Sequence, residues 1–238
     1  MDTTGKHTLQ RFDDELESIR SNVLTMGGLT ERQIDCALQA LIDSDSAIAE
    51  EVLVREKQIN AMEVDIDDEI ARFIAKRQPA ASDLRLILVI SKIVRDLERA
   101  SDEAKKIAKL AVQGAEEGAA PRGYVETRHI GNTVRLMIHD ALDAFVRVDN
   151  ELALNVVQRD KEVDQEYRAV TRQLITYMME DPRSITRVLN VMWSLRGLER
   201  VGDHAANIAE NVFYLSKGED LRHTGLSKIR DKVKGWES

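Results

Sequence analysis

The sequence predicts an all-α fold of two tandem, sequence-related three-helix bundles. Three observations carry this expectation: an aliphatic, proline-poor composition, an internal repeat, and a glycine-rich break near the middle of the chain. Hydrophobic residues make up 43% of the 238 positions and aromatic residues only 4%, with 32% charged residues and 3 prolines, a balance suited to long helices closed over aliphatic cores. A chain of this length can bury a sizeable core as one domain or as two, and the repeat favours two.

The repeat is read directly from the chain. Arg95, Leu97, Glu98, Arg99, Asp102, Ala104, Ile107 and Ala108 recur 101 residues later, from Arg196 to Ala209. Upstream, Ile34, Ala37, Leu38, Ala40, Asp45, Ala49, Val52, Arg55 and Lys57 recur 104 residues later, from Ile138 to Lys161. The two spacings differ, so a short length change falls between the blocks, and the turns at Pro79 and Pro182 tolerate it best. Between the halves, the segment from Gly114 to Gly123 carries the glycines and proline that stop a helix. The expected organisation is a first repeat at 1–113, a linker at 114–123, a second repeat at 124–218 and a tail at 219–238.

Each element has a local rationale. A first helix is expected from near Thr8 to Ile42, loosened at Gly27-Gly28, where Thr30 and Gln33 have capping-box spacing. A second starts near Asp45 and ends around Gln78-Pro79, and Ser82 or Asp83 caps a third that runs to about Val112. The repeat gives helices near 125–148, 149–180 and 184–216, with Asp181 or Ser184 as caps and Gly218 as a stop. The mixed, basic tail through Trp236 is expected to be only partly ordered.

One stripe breaks the apolar pattern. Leu84, Leu88, Ser91, Arg95, Glu98 and Asp102 follow alternating steps of four and three, and are expected to face a neighbouring helix. Ile185, Leu189, Met192, Arg196, Glu199 and Asp203 repeat the change from apolar to charged at the same turn. Glu98 with Asp102, and Glu199 with Asp203, project from one helix face, where like charges cost roughly 0.2–0.5 kcal/mol. Two compensations stay open: ion pairs from Arg95 and Arg196, or a bound cation. Glu63, Asp67, Asp160 and Asp164 on the preceding helices would complete about four oxygen ligands per half, a hard set suited to magnesium, manganese, calcium or iron rather than structural zinc.

Other chemistry is sparse. The net charge of −8 argues against a sequence-independent grip on nucleic acid and points to cations or basic protein surfaces. The first twelve residues lack an apolar signal region and no stretch approaches the ~18 apolar residues of a membrane span, so a soluble cytoplasmic protein is expected. The single cysteine, Cys36, cannot form an internal disulfide and reads as a small filler in a helix. His7, His129, His139 and His223 lack repeated partners and read as surface or capping residues. His204 follows Asp203 and is a candidate to support a site that the first half, with Glu103 in its place, cannot copy. Neither a phosphate-cradling loop nor a nucleophile elbow is visible.

The segments Arg95–Asp102, Leu198–Glu210 and Gln78–Arg85 resemble the PhoU family of bacterial phosphate regulators, and the resemblance runs from about Phe12 to Gly218. It implies two PhoU-like three-helix bundles packed end to end or side by side, as a homodimer and without enzymatic activity. It further implies a negative regulator of phosphate uptake and of phosphate-starvation genes, an adaptor between the ATPase of a phosphate ABC transporter and a sensor histidine kinase. Membrane association would come only through these partners, and no nucleic acid is expected. Some family members hold metal clusters on Glu/Asp-x-x-x-Asp pairs. The matching positions here are Glu98/Asp102, Glu199/Asp203, Glu63/Asp67 and Asp160/Asp164, and iron, manganese, magnesium or zinc is the implied cofactor class. Asn60 occupies the position matching Asp164, so the two sites need not bind alike. The competing class is a ferritin-like di-metal carboxylate enzyme, which needs Glu-x-x-His pairs on two helices. Only Glu126 and His129 have that spacing.

Overall fold

The computed structural model describes residues 3–117, 123–222 and 224–237. Among them lie seven α-helices, one 3-10 turn and no strand. The helices are α1 (Thr3–Asp43), α2 (Ser46–Arg77), α3 (Ala81–Glu117), α4 (Tyr124–Arg147), α5 (Asn150–Glu180), α6 (Ile185–Lys217) and α7 (Leu226–Glu237), with the turn at Pro182–Ser184. The expected linker falls partly on α3, which continues to Glu117, and partly on residues 118–122, outside the described residues.

The first hairpin of each half is built by the same local chemistry. Asp45 caps α2 by accepting from the backbone N–H of Ala47 and Ile48, and Asp149 caps α5 by accepting from that of Leu152. Just before each cap, Ser44 and Val148 take the left-handed conformation, both with φ of 54°. The Asp45 and Asp149 N–H groups then donate back to Ala40 and Ala144 carbonyls at 3.1 and 2.9 Å. This closes both helix ends in the Schellman manner. Gly218, at φ 71°, ends α6. Arg85 reaches across from α3 to donate to the Leu215 carbonyl at 3.4 Å, placing a cation at the negative end of α6.

Packing places α1, α3, α4 and α6 at the centre. The helix α2 lies against α1 and α3, and α5 against α4 and α6, while α1 meets α4 and α3 meets α6. The two repeats therefore pack side by side over one continuous aliphatic core that includes Val23, Met26, Ile87, Leu97, Val134, Phe145, Leu198 and Phe213. Where α1 crosses α4, a Cβ at Gly27 would overlap Leu142 Cδ1, and one at Gly131 would lie 2.6 and 2.8 Å from the two Leu38 methyls. Gly27 and Leu38 are the repeat mates of Gly131 and Leu142, so each half seats its leucine against the other's glycine.

Four expectations need correction. The helix α1 runs unbroken through Gly27-Gly28, because Gly27 serves close approach rather than a bend. Thr30 and Gln33 do not cap; both are buried in mid-helix, Thr30 donating to the Met26 carbonyl and Gln33 to the Ser101 carbonyl. Ser82 and Asp83 lie inside the first turn of α3, which starts at Ala81. The tail forms α7, whose Ile229 and Val233 are buried one turn apart while Trp236 tilts against Phe213 at 6.1 Å.

Two helical glycines, Gly28 on α1 and Gly131 on α4, give a matched test of this packing. Gly28 has open space around its Cβ position, so Gly28→Ala is expected to stabilise by ~0.5–1 kcal/mol through helix propensity. Gly131→Ala must displace Leu38 and is expected to cost ~1–3 kcal/mol despite the same propensity gain. Urea denaturation of both variants checks the opposite signs.

Candidate functional site

The sequence-level stripe lies at the edge of the core rather than within a seam. Leu88, Leu189 and Ile185 are exposed at 44, 37 and 40%, and the buried side of α3 is instead formed by Ile87, Ile90, Val94, Leu97 and Ala104. The reason is geometric: α3 presents a broad apolar face to α1, α2 and α6, and the stripe runs along its margin. At that margin the carboxylates of each half do approach one another.

In the first half, α2 supplies Glu63 and α3 supplies Glu98 and Asp102. Burial, reinforced by the charges of Glu98 and Asp67, pushes the Glu63 carboxyl above its ordinary range. Burial and the Asp102 charge do the same to Glu98. Asp67 is exposed at the outer end of the group. Glu56, absent from the sequence-derived set, is 5% exposed and belongs to this cluster. It accepts from Lys105 Nζ at 2.6 Å and Asn60 Nδ2 at 2.8 Å. Burial disfavours its charge, but these hydrogen bonds outweigh that and hold its carboxyl below the ordinary range. The signal that identifies it is the spacing of 104, which pairs Glu56 with Asp160.

In the second half, α5 supplies Asp160 and Asp164, and α6 supplies Glu199 and Asp203. Lys161 Nζ lies 2.9 Å from Asp160 Oδ2 and 3.9 Å from Asp164 Oδ2. Burial raises the Asp160 carboxyl against the Lys161 hydrogen bond that lowers it. Glu199 is raised by burial and then by the Asp203 charge. Asp203, more open to solvent, is raised by the packing around its carboxyl and then by Asp160 and Asp164. Glu199 Oε1 accepts from Arg196 at 2.5 Å, while its Oε2 is buried without a partner.

The arginine reading therefore holds in one half only. Arg196 pairs with Glu199, but among the described residues no ion pair joins Arg95 to Glu98, and Lys105 provides the cation there. Also among the described residues, no three His, Cys, Asp or Glu side chains are placed so that they could hold one metal ion. The donor chemistry nevertheless fits a hard cation: eight carboxylates in two groups, five of them raised by burial first and by neighbouring carboxylates after it, and one buried carboxylate oxygen unpaired. The residues that would hold it are Glu56, Glu63, Glu98 and Asp102 in one half and Asp160, Asp164, Glu199 and Asp203 in the other.

His204 serves a different purpose from the one expected. Its Nδ1 lies 2.9 Å from Asp96 Oδ1, which also accepts from Asn207 at 3.2 Å, so it joins α6 to α3. Its repeat mate Glu103 is 5% exposed and lies 2.9 Å from both Arg200 and Lys106. The remaining histidines of the described side chains stand apart from both clusters: His129 is 3.6 Å from Glu166, and His139 is 3.3 Å from Glu31. His223 and the side chain of His7 lie outside the described residues.

The pKa directions fix a pH signature. A carboxyl raised in the folded state stabilises most fully below the ordinary carboxylate range, and that contribution is lost as pH rises through the shifted value. Glu98→Gln is therefore expected to raise Tm at about pH 7 and to leave it unchanged at about pH 4. Glu56 is lowered, so its contribution is present at neutral pH and lost on acidification. Glu56→Gln is expected to cost about 1.5–3 kcal/mol near neutrality, the scale of a charged hydrogen bond. Calorimetric melting of the two variants across pH checks the opposed trends.

The PhoU domain model matches this chain twice, over residues 23–111 and 127–212, and each match contains one carboxylate cluster. The chain is 57% identical over 232 residues to a phosphate-specific transport system accessory protein PhoU homolog from Pseudomonas aeruginosa, covering 98% of this chain and 96% of that one. It is 45% identical over 234 residues to the phosphate-specific transport system accessory protein PhoU of Escherichia coli strain K12, with 98 and 97% coverage. The crystal structure of PhoU from Pseudomonas aeruginosa matches the fold with a TM-score of 0.86 at 60% identity, covering 87% of this chain and 100% of that one. The phosphate transport system regulatory protein PhoU from Streptococcus pneumoniae gives 0.81 at 32% identity, with 88 and 98% coverage. Among the described residues there is no strand from which a strand–turn–helix elbow could be built, and the relatives are named as accessory and regulatory proteins. The chain belongs to the PhoU family.

Proposed function

We propose that this chain is a cytoplasmic accessory protein of a phosphate-specific transport system that restrains phosphate uptake and keeps phosphate-starvation genes off when phosphate is plentiful. It acts as an adaptor, as a homodimer, binding the transporter ATPase and a sensor histidine kinase through its surfaces. The observation that carries this reading is that the similarity to named phosphate-transport accessory proteins spans nearly the whole chain and both repeats. The architecture supports it, because long helices around a continuous core make a stiff body with large lateral faces. No helix among the described residues is long and apolar enough to cross a membrane, so any membrane association falls to the partners.

The carboxylate clusters belong to the same reading as sites for divalent or ferric metal, with iron, manganese, magnesium or zinc as the class. A bound ion would neutralise carboxylates that otherwise repel, which couples occupancy to the attachment of α2 and α5. The ferritin-like enzyme has no observation in its favour. Its second Glu-x-x-His pair is missing from the sequence, and His129 of the first lies against Glu166, away from both clusters.

Deleting the gene is expected to leave phosphate-starvation genes expressed in phosphate-rich medium. Exposed substitutions such as Trp193→Ala and Leu189→Ser, at side chains 63 and 37% exposed, are expected to fold normally, fail to complement and weaken capture of the transporter ATPase or the kinase. Normal repression in the deletion strain would overturn the adaptor reading. For the metal sites, Asp102→Ala and Asp203→Ala should each lower the metal content of untagged protein measured by elemental analysis, and should blunt the metal dependence of Tm.

A further inference from the structure

Each carboxylate cluster already contains one ammonium group, and the two are supplied from different places. In the first half Lys105, on α3, lies 2.6 Å from Glu56 Oε1 on α2 and 3.9 Å from Asp102 Oδ1 on its own helix. In the second half Lys161, on α5, lies 2.9 Å from Asp160 Oδ2 and 3.9 Å from Asp164 Oδ2. These lysines are not repeat mates. The residue matching Lys105 is Ala206, and the residue matching Lys161 is Lys57, which forms no ion pair among the described residues. A positive charge thus recurs in both clusters although the position that provides it does not. The shared requirement is the charge itself, imposed by carboxylates held together at the core margin.

We propose that Lys105 and Lys161 are tethered counter-ions that occupy the clusters in place of a metal ion, so that a divalent cation enters only by displacing an ammonium. This rests on the metal reading above and adds the residues that set its affinity. In the first cluster one ammonium faces four carboxylates, and in the second Lys161, Arg196 and Arg168 together face four, so both fall short of neutrality; in the second the Glu199 Oε2, on a residue 8% exposed, is buried and unpaired. A divalent ion would supply the missing charge and draw together carboxylates that do not converge on one point while the ammonium is in place. The two lysines should yield in a definite order. Lys161 has a side chain 55% exposed and swings to solvent readily, whereas Lys105 is 29% exposed and anchored on buried Glu56. The second cluster therefore fills first.

The test uses the full chain and Mn²⁺ alone. Calorimetric titration is compared for the wild type, Lys161→Met, Lys105→Met and Lys161→Arg. Loss of the competing ammonium is expected to tighten Mn²⁺ binding about tenfold or more, which is at least ~1.4 kcal/mol, while Lys161→Arg keeps the charge and stays near the wild-type affinity. Damage to the fold would weaken binding, so the expected gain cannot come from a merely structural role. A second measurement needs no variant: amine labelling of the wild type, read by mass spectrometry, should increase at Lys161 and then at Lys105 as Mn²⁺ is added. If the wild type binds Mn²⁺ but the methionine variants bind equally or more weakly and lysine labelling stays constant, the counter-ion role is wrong and the metal reading stands. If neither the wild type nor any variant binds Mn²⁺, both are wrong.

Discussion

The close approach of the two repeats, α1 on α4 and α3 on α6, is the constraint on which the rest of this structure depends. A three-helix unit of this sequence is amphipathic on more than one side, and its second apolar face must be covered. Side chains decide how closely the faces meet. Leu142 fills the space left by Gly27, Leu38 fills the space left by Gly131, and at the other crossing Ile107 packs 3.1 Å from where a Cβ would stand on Gly197. Only with those notches do Ala37, Ala104, Ala141 and Ala205 become fully buried. The outer helices then have a fixed surface to dock on.

The same seam shows what divergence of the repeats has added. Four acid–base contacts cross it among the described residues: the ion pairs of Asp35 with Arg135 and Glu103 with Arg200, and the histidine–carboxylate contacts of Glu31 with His139 and Asp96 with His204. In every one the acid comes from the first half and the base from the second. The α1–α4 pairs are themselves repeat mates, since 31 corresponds to 135 and 35 to 139. Two identical first halves packed this way would bring Glu31 against Asp35 and Asp96 against Glu103. Apolar packing alone leaves the two halves interchangeable, and the charges remove that degeneracy, since like-charge juxtaposition at an interface is unfavourable.

Much of this was legible in the sequence, because the fold is written in short-range signals. Asp45 and Asp149 cap helices by bonds to their own neighbours, and Gly218 ends one by its own φ, so local patterns found them. What the sequence did not reveal depends on partners distant along the chain. Gly27 looked like a break because Leu142 is invisible from its neighbourhood. Gln33 looked like a capping residue because its acceptor, the Ser101 carbonyl, lies 68 positions away. The tail looked loosely ordered because its apolar residues are few, yet Phe213 gives Trp236 a surface to pack on. At the candidate site, Glu63, Asp67, Glu98, Asp102, Asp160, Asp164, Glu199 and Asp203 came from spacing along helices. Glu56 was missed although the repeat pointed to it, and the roles of Lys105 and Lys161 depend on side-chain reach, which no repeat encodes.

The position of the clusters gives them mechanical leverage. Of the six long helices, the four central ones each pack on three others of the six, whereas α2 packs on two and α5 on two and on the short α7. Both carboxylate groups lie where an outer helix meets a central one, Glu56 and Glu63 against Glu98 and Asp102, and Asp160 and Asp164 against Glu199 and Asp203. A charge added to or removed from a cluster therefore acts on the joint with the fewest other constraints, while the interlocked centre holds its shape. The proposed adaptor role calls for such a division between a stiff frame and two charge-sensitive flanks. The repeat builds this arrangement twice, with a lysine from α3 against one group and a lysine from α5 against the other.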